Sequence, residues 1–174
     1  MKSSRKTRYT EMVLREALVE ALAVKPITQV TVTELCARAD ISRGTFYLHY
    51  ANPAELLEHV EDDFLATVMA PLQGTPCEDE QTFAETVLRT LADQPELASL
   101  ALQPGSTLVE RFFALQREQS LQMCRRRFPD LNDTELEYVN HFKEQGTVAV
   151  IRTWVQGGMT ESGEDIAVLL TRLT

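Results

Sequence analysis

Arg43, Thr45, Tyr47 and His49 all carry hydrogen-bond donors within seven residues of one another. On a 3.6-residue helical period they point away from the apolar side made by Phe46 and Tyr50. Such a face suits duplex DNA. A guanidinium can bond a guanine edge bidentately and a threonine methyl can touch a thymine methyl, each good bidentate pair contributing about 1–3 kcal/mol of discrimination. Two helices and a turn must position this face. Thr33 is expected to N-cap the first, whose inward residues are Leu35, Cys36 and Ala39; Asp40 and Ile41 supply the turn; Ser42 caps a second helix over about Arg43 to Tyr50. A helix-turn-helix lays its second helix in the major groove, with N-terminal residues on base edges.

Other chemistry finds little support. His49, His59 and His141 lie on separate helices without metal-ligand spacing, and neither a Gly-rich phosphate loop nor a nucleophile elbow appears. We therefore expect no enzyme, no cofactor and no metal. His59 with Asp62 and Asp63 reads better as a solvated acidic face than as a metal site. Cys36, Cys77 and Cys124 form no C-x-x-C pair and leave an odd count, against a disulfide framework. Cys124 beside Arg125, Arg126 and Arg127 leaves a weak redox-sensor reading open against a buried apolar side chain, and the arginines themselves suit the negative end of a helix dipole.

The 174 residues are 44% hydrophobic and 25% charged, enough for one sizeable core or two small ones. Met12 to Val24 is interrupted by Arg15, Glu16 and Glu20, and no apolar run of about 18 residues occurs, so the expectation is a cytoplasmic protein without a membrane partner. The net charge of −9 is unevenly distributed. Residues 1 to 50 hold eight Lys/Arg against five Asp/Glu, a net of +3, and the remainder nine against 21, a net of −12. Lys2, Arg5, Lys6 and Arg8 read as a polar arm able to reach phosphates, while the acidic remainder confines DNA to one end of the chain.

The run Thr-x-x-x-Leu-Cys-x-x-Ala-Asp-Ile-Ser-Arg-Gly-Thr-Phe-Tyr-x-His-Tyr at positions 31 to 50, followed by Glu55-Leu56-Leu57, resembles the recognition segment of TetR-type transcriptional regulators. The segment from Trp154 to Leu170 resembles the C-terminal domains of one branch of that family. The resemblance implies that Thr33, Ser42, Tyr47 and His49 hold phosphates, that Arg43 and Thr45 face bases, and that Gly44 lets the backbone approach. It also implies a homodimer joined by a four-helix bundle, a pseudo-palindromic double-stranded operator, and a small-molecule effector, unidentified, that releases a repressor by moving a helix shared between domains. One departure stands out: where family members commonly carry a phosphate-binding lysine after the aromatic segment, this chain has Pro53. The other class of reading is a helical dimerising or adaptor protein whose helix-turn-helix unit serves a protein partner.

The whole chain reads as all-α, about nine helices without a strand. A three-helix DNA-binding domain over 1–51 is followed by a helical effector-binding and dimerisation domain over 52–174, linked by a helix over 52–69. Helix 1 is expected over Thr10 to Val24, with Val13, Leu14, Ala17, Leu18, Ala21 and Leu22 inward. Asn52, Pro53 and Glu55 open the linking helix as cap, first-turn proline and capping-box partner. A loop over Gln73 to Asp79 precedes helices at about Glu80 to Asp93, Pro95 to Gln103, Thr107 to Phe128, Asn132 to Gln156, and from Ser162 to the end. Phe142, Gly146, Ala149, Val150 and Thr153, with Ile166, Leu169 and Leu170 on the last helix, form the expected dimer surface. Val87, Leu91, Phe112, Phe113, Met123 and Trp154 are candidate effector contacts, against the plainer reading of core. Gln116, Gln119, Ser120 and Gln122 read as a wet helix face.

Overall fold

The computed structural model describes residues 5–72, 80–103 and 106–173. Over these it is all-helical: nine α-helices, two single 3-10 turns and no strand. Two compact units emerge, Met1–Phe64 and Leu65–Thr174, and one helix runs across their boundary.

In the first unit, α1 (Arg5–Leu22) buries Leu14, Ala17, Leu18, Ala21 and Leu22 on one stripe. It starts five residues earlier than the sequence suggests. Thr10 is buried, and its hydroxyl donates to the Lys6 carbonyl at 3.1 Å, a bond that needs the preceding turn to be helical. Arg5, Lys6 and Arg8 therefore belong to α1 rather than to an extended arm, and Lys2 lies outside the described residues. After a 3-10 turn at Ile27–Gln29 come α2 (Val32–Arg38) and α3 (Arg43–Tyr47). The expected inward residues Leu35, Cys36 and Ala39 are buried, as are Phe46 and Tyr50.

Next, α4 (Pro53–Met69) opens as its sequence predicts. The Glu55 amide donates to Asn52 Oδ1 at 3.0 Å, and the Glu55 carboxylate accepts from the Ala51 amide at 2.6 Å. Pro53 forfeits no bond there, because the first helical amides have no acceptor within the helix.

The second unit contains α5 (Glu80–Asp93), α6 (Pro95–Ala101), α7 (Leu108–Arg127), α8 (Asp133–Gln156) and α9 (Gly163–Leu173). α5 packs on α9, α7 on α8, and α6 on both α5 and α8. Close approach of α9 to α5 occurs at Gly163, where an added Cβ would stand 3.4 Å from Leu88 Cβ. α8 carries the Asn132–Glu135 capping box, with both reciprocal bonds formed. Its C-terminus is closed by Gly158 and Met159 at positive φ, and Trp154 is buried with its indole N–H donated to the Glu161 carbonyl at 2.9 Å. The expected loop over Gln73 to Asp79 lies outside the described residues.

A polar seam along α7 corrects the wet-face expectation. Gln116 is buried and donates to Met69 Sδ at 3.3 Å; Ser120 bonds Asn140, itself buried, whose amide donates to Glu144 at 2.7 Å. Buried polar groups must be bonded, and here Met69 of α4 serves Gln116 while Asn140 of α8 serves Ser120 and is itself served by Glu144 on its own helix. Gln122, by contrast, is exposed.

Candidate nucleic-acid interface

Local chemistry builds the reading unit. Thr31, not Thr33, caps α2: its hydroxyl accepts from the Glu34 amide at 3.3 Å, so the helix starts two residues earlier and Thr33 sits inside it, exposed. The signal was present as Thr31-x-x-Glu34, the capping-box spacing. Asp40 takes φ 50, the left-handed conformation that aspartate tolerates, and turns the chain between α2 and α3. Ser42 then caps α3, accepting from the Thr45 amide at 3.0 Å, while the Ser42 and Thr45 hydroxyls bond each other at 2.9 Å.

Charge pairs brace this unit across helices. The Lys25 ammonium bonds the Glu34 carboxylate, and Arg38 reaches both Glu34, at 3.3 Å, and Glu20 of α1, at 3.2 Å. The Lys25 bond, followed by the nearby charges of Lys25 and Arg38, holds the Glu34 carboxyl below its usual value against the opposing effect of burial. Behind α3, Phe46 is fully buried and meets the rings of Tyr47 and Tyr50 at 5.6 and 6.0 Å. Tyr50 in turn meets His59 of α4 at 5.7 Å, so the recognition helix rests on an aromatic base.

Outward from that base, Arg43 and Gly44 are exposed and Tyr47 keeps 59% of its surface. Thr45 is half-buried, its hydroxyl already engaged by Ser42. α3 ends at Tyr47, earlier than expected, so His49 lies beyond it and turns toward α1, with Nδ1 3.9 Å from Glu11 of that helix. His49 is thereby half-buried rather than on the open face. Gly44 is not required by packing, since a Cβ there would meet only Ser42 Oγ at 3.7 Å. Leu48, which the sequence reading left out, is 84% exposed directly after Tyr47. Its only sequence signal was an apolar residue falling on neither the Phe46 nor the Tyr50 position.

Elsewhere, Phe142 is 72% exposed on α8, with Gly146, Ala149 and Thr153 also exposed and Val150 half-buried. On α9, Leu169 is exposed, but Ile166 and Leu170 are buried within the chain; Leu173 joins Leu169 on the outer side. Among the candidate effector contacts, Val87, Leu91 and Trp154 are buried and Phe112, Phe113 and Met123 half-buried. Phe83, Phe112 and Phe113 form an aromatic run with ring separations of 6.3 and 5.5 Å. Cys124 is fully buried, and burial pushes its thiol pKa up, the reverse of what the redox reading requires. Arg125 pairs with Asp133 at 3.0 Å, and Cys77 lies outside the described residues.

Among the described residues no helix is long and apolar enough to cross a membrane. The family described as bacterial regulatory proteins, tetR family, matches residues 14–60, and a transcriptional regulator C-terminal region matches residues 78–174. No curated protein matches the sequence. Among solved structures, the fold is similar to a TetR transcriptional regulator from Streptococcus agalactiae, with a TM-score of 0.72 at 16% identity over 97% of this chain and 95% of that one. The fatty acid degradation regulator FadR from Bacillus halodurans gives 0.68 at 14% identity over 99% and 96%. The dihydroxyacetone kinase operon activator DhaS gives 0.61 at 19% identity over 94% and 93%. At these identities the likeness is one of fold; joined to the two family matches, the second of which spans more than half the sequence, it leads to one conclusion: the chain belongs to the TetR family of helix-turn-helix, DNA-binding transcriptional regulators.

Proposed function

We propose that this regulator is a homodimeric repressor that reads a pseudo-palindromic operator and leaves it when a small molecule binds the helical domain over 52–174. The observation that carries the DNA-reading part is the face of α3. Its base is buried through Phe46 and Tyr50, while Arg43, Gly44 and Tyr47 stand exposed on a helix capped by Ser42. Arg43 and Thr45 face base edges; Thr33, Ser42, Tyr47 and His49 serve phosphates. α1 adds three cations, Arg5, Lys6 and Arg8, in its first turns, where the helix dipole disfavours positive charge. A phosphate at that end relieves the repulsion, and the His49–Glu11 approach puts the next turn of α1 beside the end of α3. Pro53 supplies no cation, so the three α1 cations join Thr33, Ser42, Tyr47 and His49 in the backbone contacts.

Pairing is supported by the exposed stripe of Phe142, Gly146, Ala149 and Thr153 on α8, continued by Leu169 on α9. Two-fold symmetry then places the two α3 helices on half-sites about 34 Å apart, or a multiple of that. Effector binding belongs to the second unit, near Val87, Leu91, Phe112, Phe113, Met123 and Trp154.

The test is selection of bound fragments from a random duplex DNA library at near-physiological salt, comparing the parent with an Arg43→Ala, Tyr47→Ala double variant. An inverted repeat enriched by the parent alone is the expected result. Enrichment of the same repeat by both proteins would remove α3 from the interface. A parent that enriches nothing, with its fold and dimer verified, would move the adaptor reading ahead.

A further inference from the structure

Leu48 presents a physical anomaly. Among the large apolar side chains of the described residues it is the most open at 84%, yet it directly follows the recognition helix and lies one helical turn past Gly44, which has no side chain of its own. A long side chain near a helix end covers the turn N-terminal to its own Cα. Leu48 leans toward the glycine's side of the helix without covering it, since a Cβ at Gly44 would meet only Ser42 Oγ, at 3.7 Å, and it forms an apolar point on an otherwise donor-rich face, beside Tyr47. In the major groove the one apolar feature of a base edge is the thymine 5-methyl group. Thr45 is the poorer methyl reader, because it is half-buried and its hydroxyl is held by Ser42 at 2.9 Å.

We propose that Leu48 is a specificity-determining residue that selects thymine by packing on its 5-methyl group, next to Gly44. The inference rests on the proposed placement of α3 in the major groove. Leucine at 48 then gives the operator a thymine at one defined step in each half-site, while Arg43 selects a neighbouring step by hydrogen bonds. No bond of the chain depends on this contact, so the residue can change without disturbing the fold.

The experiment uses the full chain and the inverted repeat recovered from the random library. Each thymine of a half-site is replaced singly by deoxyuridine, which deletes the 5-methyl group and preserves base pairing. For the parent, one position is expected to lose about three- to fivefold in affinity per half-site, the effect of one buried methyl group. Leu48→Ala should bind the parent operator more weakly and lose sensitivity at that position alone, Leu48→Met should restore it, and Thr45→Ser should leave it in place. A half-site without a methyl-sensitive thymine, an unchanged sensitivity pattern in Leu48→Ala, or loss of the sensitive position in Thr45→Ser would each overturn the proposal. So would a change in the oligomeric state of Leu48→Ala in the absence of DNA, which would assign the residue to a protein contact. Failure of the underlying reading is distinguishable, because Arg43→Ala and Tyr47→Ala would then leave operator affinity intact whatever happens at Leu48.

Discussion

Replacing Gly146 separates the stability of the chain from its proposed pairing with a second copy. An added Cβ at this mid-helix position meets nothing within 4 Å, and the residue is exposed. For the chain alone, glycine is therefore only a cost: alanine would stabilise α8 by about 1 kcal/mol and leucine by nearly as much. In a protein of this size that raises the unfolding midpoint by about 2–4 °C. The proposed pairing would account for the glycine through close approach of a second helix, since Tyr138 and Phe142 lie eight and four residues before it, 74% and 72% exposed, with Ala149 and Thr153 following on the same side. Under two-fold symmetry a leucine enters that contact twice. Overpacking costs about 1–3 kcal/mol per site, hence about 2–6 kcal/mol per dimer, or roughly 30-fold to 20,000-fold weaker pairing. Sedimentation equilibrium across a concentration series, with helical content followed by circular dichroism, reads both quantities. Gly146→Leu should yield a helical monomer with an unfolding midpoint no lower than that of the dissociated parent. A dimer affinity within about threefold of the parent would refute the reasoning, as would loss of helix in the monomer, since the structure leaves open space at the added side chain.

Gly44 offers the same logic at the DNA face. Gly44→Ala should leave the fold as stable or more stable, by up to about 1 kcal/mol, while weakening operator binding in fluorescence anisotropy; unchanged affinity would remove the need for close backbone approach. Alkaline stability tests the base of the recognition helix. Burial, followed by the carboxylates of Glu11, Asp63 and Glu55, pushes the Tyr50 phenol up to about 12. The folded chain then resists an ionisation that the unfolded chain undergoes from about pH 10, so stability is lost between about pH 10 and 12 and levels off above, by at most about 3 kcal/mol. Tyr50→Phe should remove that part of the slope in urea denaturation across this window; an identical slope in both proteins would show that the phenol does not resist ionisation there.

Much of the DNA-reading unit was legible because its determinants are local. Leu35, Cys36 and Ala39 on one side of α2, Phe46 and Tyr50 beneath α3, and the Ser42, Asn52 and Asn132 caps all depend on separations of three or four residues, which helical geometry converts directly into neighbours. The same periodicity made the all-helical class and the helix punctuation readable. What escaped was decided by which faces meet. His49 looked like an outward group until the early end of α3 turned it toward Glu11, 38 positions away in the chain. Ser120 and Gln116 looked solvated until α8 and Met69 supplied their partners, and the indole of Trp154 gained its acceptor, the Glu161 carbonyl, only through the turn at Gly158. Ile166 and Leu170 were assigned to a second copy, yet the chain buries them itself and leaves Leu169 and Leu173 outside. Composition and spacing determine that a residue must be covered or bonded; only the tertiary arrangement decides by what, because the free energy of burial is non-directional and the same apolar stripe can be covered by its own chain, by a partner or, as proposed for Leu48, by a base.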